Sequence, residues 1–314
     1  MKKGIFTLCL VAVCMLPAQG QEKVYVETVG PLLGEIAFDQ GAPYNKVTPV
    51  VKGTNCPTGC VATAMAQIMA YYQYPKECHG SISYKTETLN ITVEKNLEGY
   101  KPDWANILKT YKPGSYTGQQ ADAIADLMSA CGAAVHMDYN WDGSGANSED
   151  VLGAMSQYFG YDINSDFILK SDCTDVAYHK MLQDELRSGR PIYYSSTQQV
   201  GAGHAFVCDG FRIQEGYEKY PEYHFNWGWG GEANDWVRLN KLAAKITMSG
   251  EVLDISYNQK CILNLFPTNW QAVEEVEAGL DSNAPIYDIF GRRVTETIPG
   301  QIYIQNGKKF FVME

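Results

Sequence analysis

The sequence predicts an α+β fold, a helical layer against a mostly antiparallel sheet. Two observations carry this. Apolar residues recur at helical spacing through the first half of the chain, as in Val61, Ala64, Met65, Ile68, Met69 and Tyr72. After Gly189-Arg190-Pro191 the pattern changes to alternation or short continuous apolar runs. Helices and strands segregated in this way belong to α+β architectures rather than to alternating βαβ units.

Taken in order, residues 1–20 read as a secretory signal: Lys2 and Lys3, an apolar run from Ile5 to Leu16, then Ala18-Gln19-Gly20 as a small-x-small cleavage site. Residues 21–29 form a short leader, and 30–268 the main domain. A loop-rich stretch from Gly30 precedes the helix that begins at Cys60. Ser81 to Val93 alternates like a hairpin. Further helices are expected at Thr117 to Cys131, Ser148 to Phe159 and Asp175 to Ser188, the last stopped by the Gly-Arg-Pro sequence. Strands are expected at Pro191 to Ser195, Ala205 to Cys208, Tyr223 to Trp227, Trp236 to Leu239 and Ile262 to Phe266. Residues 269–284 read as an acidic linker. Residues 285–314 read as a small β appendage, with Asn306-Gly307 between alternating segments as a type I′ hairpin signal.

The chain has 314 residues and a formal net charge of −11, which argues against nucleic acid or an anionic membrane as a partner. A hydrophobic content of 45% with six Trp argues against disorder, and no stretch is apolar enough for a membrane span. Beyond the signal lie Cys56, Cys60, Cys78, Cys131, Cys173, Cys208 and Cys261, an odd set that leaves at least one free thiol. No CxxC or HExxH spacing occurs, so neither metal nor cofactor is expected.

Cys60 opens a helix, where unpaired backbone N–H groups and the macrodipole favour a thiolate. A buried, inert cysteine fits the same segment. His204 lies in Gly201-Ala202-Gly203-His204-Ala205-Phe206-Val207, a glycine-rich turn entering a buried strand. Gly201 and Gly203 leave room for a substrate backbone near an imidazole; a hydrogen-bonded core histidine reads equally well. Four further histidines, His79, His136, His179 and His224, read as structural, His179 on a helix surface and His136 and His224 in strands. Asn226-Trp227-Gly228-Trp229-Gly230-Gly231 follows a strand. There Asn226 can accept from the imidazole N–H that faces away from sulfur, or the Trp227 indole can lie against the ring and exclude water. Gln40, in a Gly/Pro loop, is a candidate donor to an oxyanion beside the Cys60 N–H, and Trp229 a candidate cleft residue. The polar loop from Asp142 to Asn147 is either a pocket wall or a connection.

Three segments resemble the streptopain-type cysteine proteases, peptidase family C10, distant relatives of papain: Gly59-Cys60-Val61-Ala62-Thr63-Ala64, Gly203-His204-Ala205-Phe206-Val207, and Asn226 to Gly231. Asp39-Gln40-Gly41, Met137-Asp138-Tyr139 and Pro191-Ile192-Tyr193-Tyr194 support the resemblance, which covers Gly30 to Phe266. It implies a papain-like fold of a helical and a sheet subdomain with a cleft between them. It also implies Cys60 as nucleophile, His204 as base, Gln40 at the oxyanion hole, and Trp227 ahead of Asn226 as the ring's companion. The implied substrate is an extended peptide with a hydrophobic residue two positions before the cleaved bond.

The expected activity is that of an exported cysteine endopeptidase, secreted, periplasmic or on the bacterial cell surface. Its alternatives are a non-catalytic binding module and a cysteine acyltransferase on the same scaffold. Polypeptide substrates are the expected partners of a monomeric chain with no membrane insertion. Family members carry a long N-terminal pro-domain, whereas only residues 21–29 separate the signal from the matching region. That leaves a separate protein inhibitor, activity at once on export, or an enzyme without restraint. The C-terminal run resembles the β sorting tails of exported proteins of Bacteroidetes-like bacteria.

Overall fold

The computed structural model describes residues 23–161, 166–201, 203–245, 252–268, 284–288, 293–297, 302–305 and 308–311. The expected signal segment and all of the expected linker but Ala284 lie outside them. In chain order the elements are β1 (Tyr25–Val29), β2 (Val50–Val51), β3 (Thr54–Asn55), α1 (Cys60–Tyr72), β4 (Ser81–Lys85), β5 (Thr92–Asn96), α2 (Gly118–Ala134), α3 (Asp150–Phe159) and β6 (Asp166–Leu169). There follow α4 (Asp175–Arg187), β7 (Ile192–Thr197), β8 (Gly203–Gln214), β9 (Glu222–Asn226), β10 (Asp235–Val237), β11 (Ala243–Lys245), β12 (Val252–Asp254) and β13 (Tyr257–Leu263). Last come β14 (Ile286–Asp288), β15 (Arg293–Val294), β16 (Ile302–Gln305) and β17 (Lys308–Phe311).

The fold is α+β. Seven strands form one antiparallel sheet in the order β10-β9-β8-β7-β13-β6, with β1 added on the far half of β8. Side chains alternate between its faces, and two separate cores result. Tyr193, Ala205, Val207 and Ile262 join α1, α2 and α3 on one face. Their neighbours Tyr194, Phe206, Cys208 and Cys261 join α4 on the other.

Tyr25–Val29, expected only as part of a short leader over 21–29, pairs with Phe211–Gln214. Its alternating burial, half-buried at Tyr25, Glu27 and Val29, is that of a strand on a sheet margin. β8 is also longer than its expected apolar run, because Gly203 and His204 pair with β7 and the residues up to Gln214 pair with β9 and β1. His136, expected in a strand, sits in the turn after α2 with φ of 49°.

Helix α1 is buried continuously from Val61 to Met69, beyond the single stripe its spacing suggested. It lies between the sheet and α2, so its polar residues must find partners inside. Thr63 Oγ1 donates to the Gly59 carbonyl at 3.0 Å, and Gln67 Oε1 accepts from the Phe38 N–H at 3.1 Å. Helix α2 begins with a complete capping box between Thr117 and Gln120. The expected hairpin is β4–β5, and the C-terminal strands form their own sheet in the order β15-β14-β16-β17. β16 and β17 pair through Gln305 and Lys308, and the expected Asn306-Gly307 turn lies outside the described residues.

Candidate active site

Cys60 is the first residue of α1, preceded by Gly59 with φ of 84°. The glycine has no side chain to cap the helix, and no acidic residue stands in the first turn. The leading N–H groups therefore face the sulfur's surroundings uncompensated, the arrangement that draws an anion. A side chain at position 59 would also crowd its neighbours: a Cβ there would stand 2.5 Å from the Met137 sulfur, which would have to shift, and 3.1 Å from the Ser144 carbonyl.

Burial alone would push the half-buried Cys60 thiol up, yet it lies below its ordinary value. Hydrogen bonding and charge from His204, with the N–H groups of Ala205 and Val61, outweigh the burial. The other buried thiols have no such neighbour. Cys78 and Cys261 are pushed up to about 12, chiefly by burial. No disulfide occurs among the seven described cysteines.

His204, the second residue of β8, is oriented from behind. Its Nε2 lies 2.8 Å from the main-chain carbonyl of Trp227. A carbonyl only accepts, so Nε2 carries the hydrogen and donates it. Nδ1 is left for Cys60. The ring is held among aromatics. Trp229 stacks on it at 4.7 Å between centroids and 28°, Phe206 at 5.7 Å, and Trp227 at 6.5 Å. Trp227 and Trp229 in turn stack on each other at 6.1 Å. Trp229, expected in the cleft, thus lies closer to the imidazole than Trp227 does. The Trp227 indole N–H is engaged with the Ala233 carbonyl at 2.8 Å.

The Asn226 side chain does not take the imidazole N–H, which corrects that expectation. Its Nδ2 donates to the Ile36 carbonyl at 2.7 Å, and its Oδ1 accepts from the Gly228 N–H at 3.2 Å. Asn226 is 2% exposed and ties the turn after β9 to the segment leading to Gln40. The Gly230 N–H adds a bond to the Phe38 carbonyl at 2.8 Å.

Gln40 reaches the site's neighbourhood through its main chain, whose carbonyl accepts from the Thr58 N–H at 3.0 Å, two residues before Cys60. Asp39 Oδ1 accepts from the Gln40 and Gly41 N–H groups and shapes that loop. Gly203 begins β8 opposite Thr197, and Gly201 lies exposed in the preceding turn.

A cavity of about 520 Å³ opens beside Cys60 and His204. The loop from Gly143 to Ser148 forms one wall, and Ser195, Ser196, Thr197, Gly203 and Lys260 lie across from it. The loop is held by a bridge between Asp138 and Gly145 and by a 2.8 Å bond between Ser148 Oγ and the Tyr193 hydroxyl. Sequence reasoning left this loop open between wall and connection; it is a wall. The Trp227 carbonyl, Ser195 and Lys260 escaped it. A main-chain acceptor has no side-chain signature, and the other two read as ordinary strand residues until register places them.

The other histidines lie apart from this geometry. His224 Nδ1 pairs with the buried Asp209 carboxylate at 2.6 Å, and His79 stands 3.9 Å from Glu98. His136 stacks on Tyr84 at 4.7 Å. His179 stacks on Tyr223 at 5.6 Å and is half-buried rather than on the surface, which lowers its pKa.

Residues 38–237 match the sequence profile of the Peptidase C10 family. Streptopain of Streptococcus pyogenes is 37% identical over 223 residues, 66% of this chain and 54% of that protein. The thiol protease/hemagglutinin PrtT of Porphyromonas gingivalis is 34% identical over 209 residues, 66% of this chain and 23% of that protein. The chain thus spans about half, or less, of the length of these relatives. Among solved structures, active wild-type interpain A cysteine protease of Prevotella intermedia superposes with a TM-score of 0.68 and 31% identity, over 77% of this chain and 96% of that one.

Proposed function

The chain belongs to the peptidase C10 family, and from that premise we propose that it is an exported cysteine endopeptidase working through Cys60 and His204. The observation that carries the reading is the 2.8 Å bond from His204 Nε2 to the Trp227 carbonyl. It leaves the opposite nitrogen available to the sulfur, whose proton affinity His204 lowers.

On this reading Nδ1 holds the thiol proton and the thiolate attacks the scissile carbonyl carbon. The carbonyl oxygen gains the negative charge and is met by the Cys60 N–H and the Gln40 amide. As the C–N bond breaks, Nδ1–H protonates the leaving amine, and a thioester joins Cys60 to the acyl half. Water then gives a proton to Nδ1 and its oxygen to the thioester carbon, releasing the carboxylic acid and the thiol. The stacked Trp229 and Phe206 keep the ring from turning and limit water at the ion pair.

The test is hydrolysis of casein and of a peptide library by the wild type, Cys60→Ala and His204→Ala, with iodoacetamide labelling and peptide mapping. Loss of nearly all turnover in both variants and selective labelling of Cys60 are expected. Wild-type rates from Cys60→Ala, or rapid labelling elsewhere, overturn the assignment.

A further inference from the structure

Register places three residues of neighbouring strands in one row beneath the cavity. Lys260 of β13 stands opposite Ser195 of β7, and Ser195 stands opposite Ala205 of β8, next to His204. Residues paired in this way point to the same face of a sheet. It is the face of Tyr193 and Ile262, one row along, which lie in the core beneath α1. The Tyr193 hydroxyl reaches Ser148 on the opposite cavity wall.

We propose that this cavity is a substrate subsite for an acidic side chain, with Lys260 as its cation and Ser195 as a second donor. The inference rests on the reading of the chain as a peptidase. It departs from the hydrophobic preference that the family resemblance suggested.

Three features point to a carboxylate. First, among the described residues lining the cavity there is no Asp or Glu, whereas Lys260 is one of them. Second, Ser195 is 4% exposed and its Oγ has no hydrogen-bond partner among the described residues. A buried hydroxyl in that condition is costly unless a ligand supplies the partner. Third, apart from the Phe167 ring, whose centroid lies 5.1 Å from its Nζ, the partner Lys260 has now is weakly held. Its Nζ lies 3.3 Å from Glu149 Oε1, and the Glu149 side chain is 64% exposed against 20% for Lys260. An ion pair so exposed contributes little, and an incoming carboxylate can take its place. An apolar side chain would leave Ser195 unpaired, and a basic one would face Lys260. Sites built to hydrogen-bond a group discriminate strongly against analogues that lack it.

The test compares wild type, Ser195→Ala, Lys260→Met and Lys260→Glu on fluorogenic peptides carrying Glu, Gln, Leu or Lys in turn at each position flanking the cleaved bond. At one position the wild type should favour Glu over Leu in kcat/KM by about 10- to 100-fold, the range of a hydrogen bond to a charged group. Lys260→Met should bring that ratio near one, Lys260→Glu should favour Lys, and Ser195→Ala should lose part of the preference with the charge intact. An apolar preference at every position, or a Glu preference that survives Lys260→Met, overturns the proposal. Failure of the peptidase reading is separable: the wild type would then cleave no peptide. Calorimetric binding of the Glu and Leu peptides to Cys60→Ala, with and without Lys260→Met, decides the subsite without turnover, and equal affinities overturn it.

Discussion

The carbonyl that orients His204 belongs to a turn whose next residue is Gly228, and replacing that glycine by alanine tests how the orientation is enforced. Gly228 has φ of 73°, a conformation that costs an L-residue about 1–2 kcal/mol. An added Cβ would lie 3.0 Å from Thr63 Cγ2 in the first turn of α1. Thr63 is fully buried, and its hydroxyl is bonded to the Gly59 carbonyl and to Thr58 Oγ1, each at 3.0 Å. Rotating it away breaks both bonds, so overpacking should add about 1–3 kcal/mol. Gly228→Ala should therefore destabilise by roughly 2–5 kcal/mol. Urea unfolding in a Cys60→Ala background measures this without self-cleavage. Thr63→Ser keeps the hydroxyl and removes the obstructing methyl, at a cost of about 1 kcal/mol by itself. Combined with Gly228→Ala it should recover about 1–3 kcal/mol and leave the backbone penalty. Strict additivity of the two changes, or a Gly228→Ala cost below about 0.5 kcal/mol, would refute the steric argument.

Other perturbations separate the roles around the site. Cys60 should alkylate below the ordinary thiol range, and His204→Ala should move that pH profile upward, because burial is then less opposed. A depressed thiol pKa adds stability present above the unfolded value near 9 and lost as pH falls through the folded value. Cys78 and Cys261, raised to about 12, act oppositely, costing about 1.4 kcal/mol per pH unit each between 9 and 12. Denaturant midpoints measured across pH report both. Gln40→Ala should lower kcat about 100- to 1,000-fold with KM little changed if its amide meets the oxyanion. Asn226→Ala should destabilise by about 2–4 kcal/mol, leaving the Ile36 carbonyl and Gly228 N–H unpaired, while the Cys60 alkylation profile keeps its midpoint.

The contrast between Cys60 and the residue that steadies His204 explains how far the site could be read from sequence. A cysteine at a helix start announces itself through the helix's own periodicity, since local pattern decides where the first turn lies. A histidine at a glycine-rich strand entry is legible for the same reason. Orientation of the imidazole is different in kind, because it depends on where β9 ends relative to β8, which is a matter of pairing between strands. Asn226 has the chemistry to accept from the ring and stands one residue from the carbonyl that does so. What diverts it is Ile36, remote in sequence, whose buried carbonyl needs a donor. Ser195 and Lys260 are 65 positions apart in the chain and meet only through the register of β7 and β13. The same limit applies to β1, whose strand character is weak until β8 supplies its partner. Local pattern therefore located Cys60 and His204, whereas long-range pairing determines their orientation and the lining of the cavity beside them. If the Lys260 row selects substrate, specificity can change between relatives by single substitutions on β13 with the helix of Cys60 and the strand entry of His204 left intact.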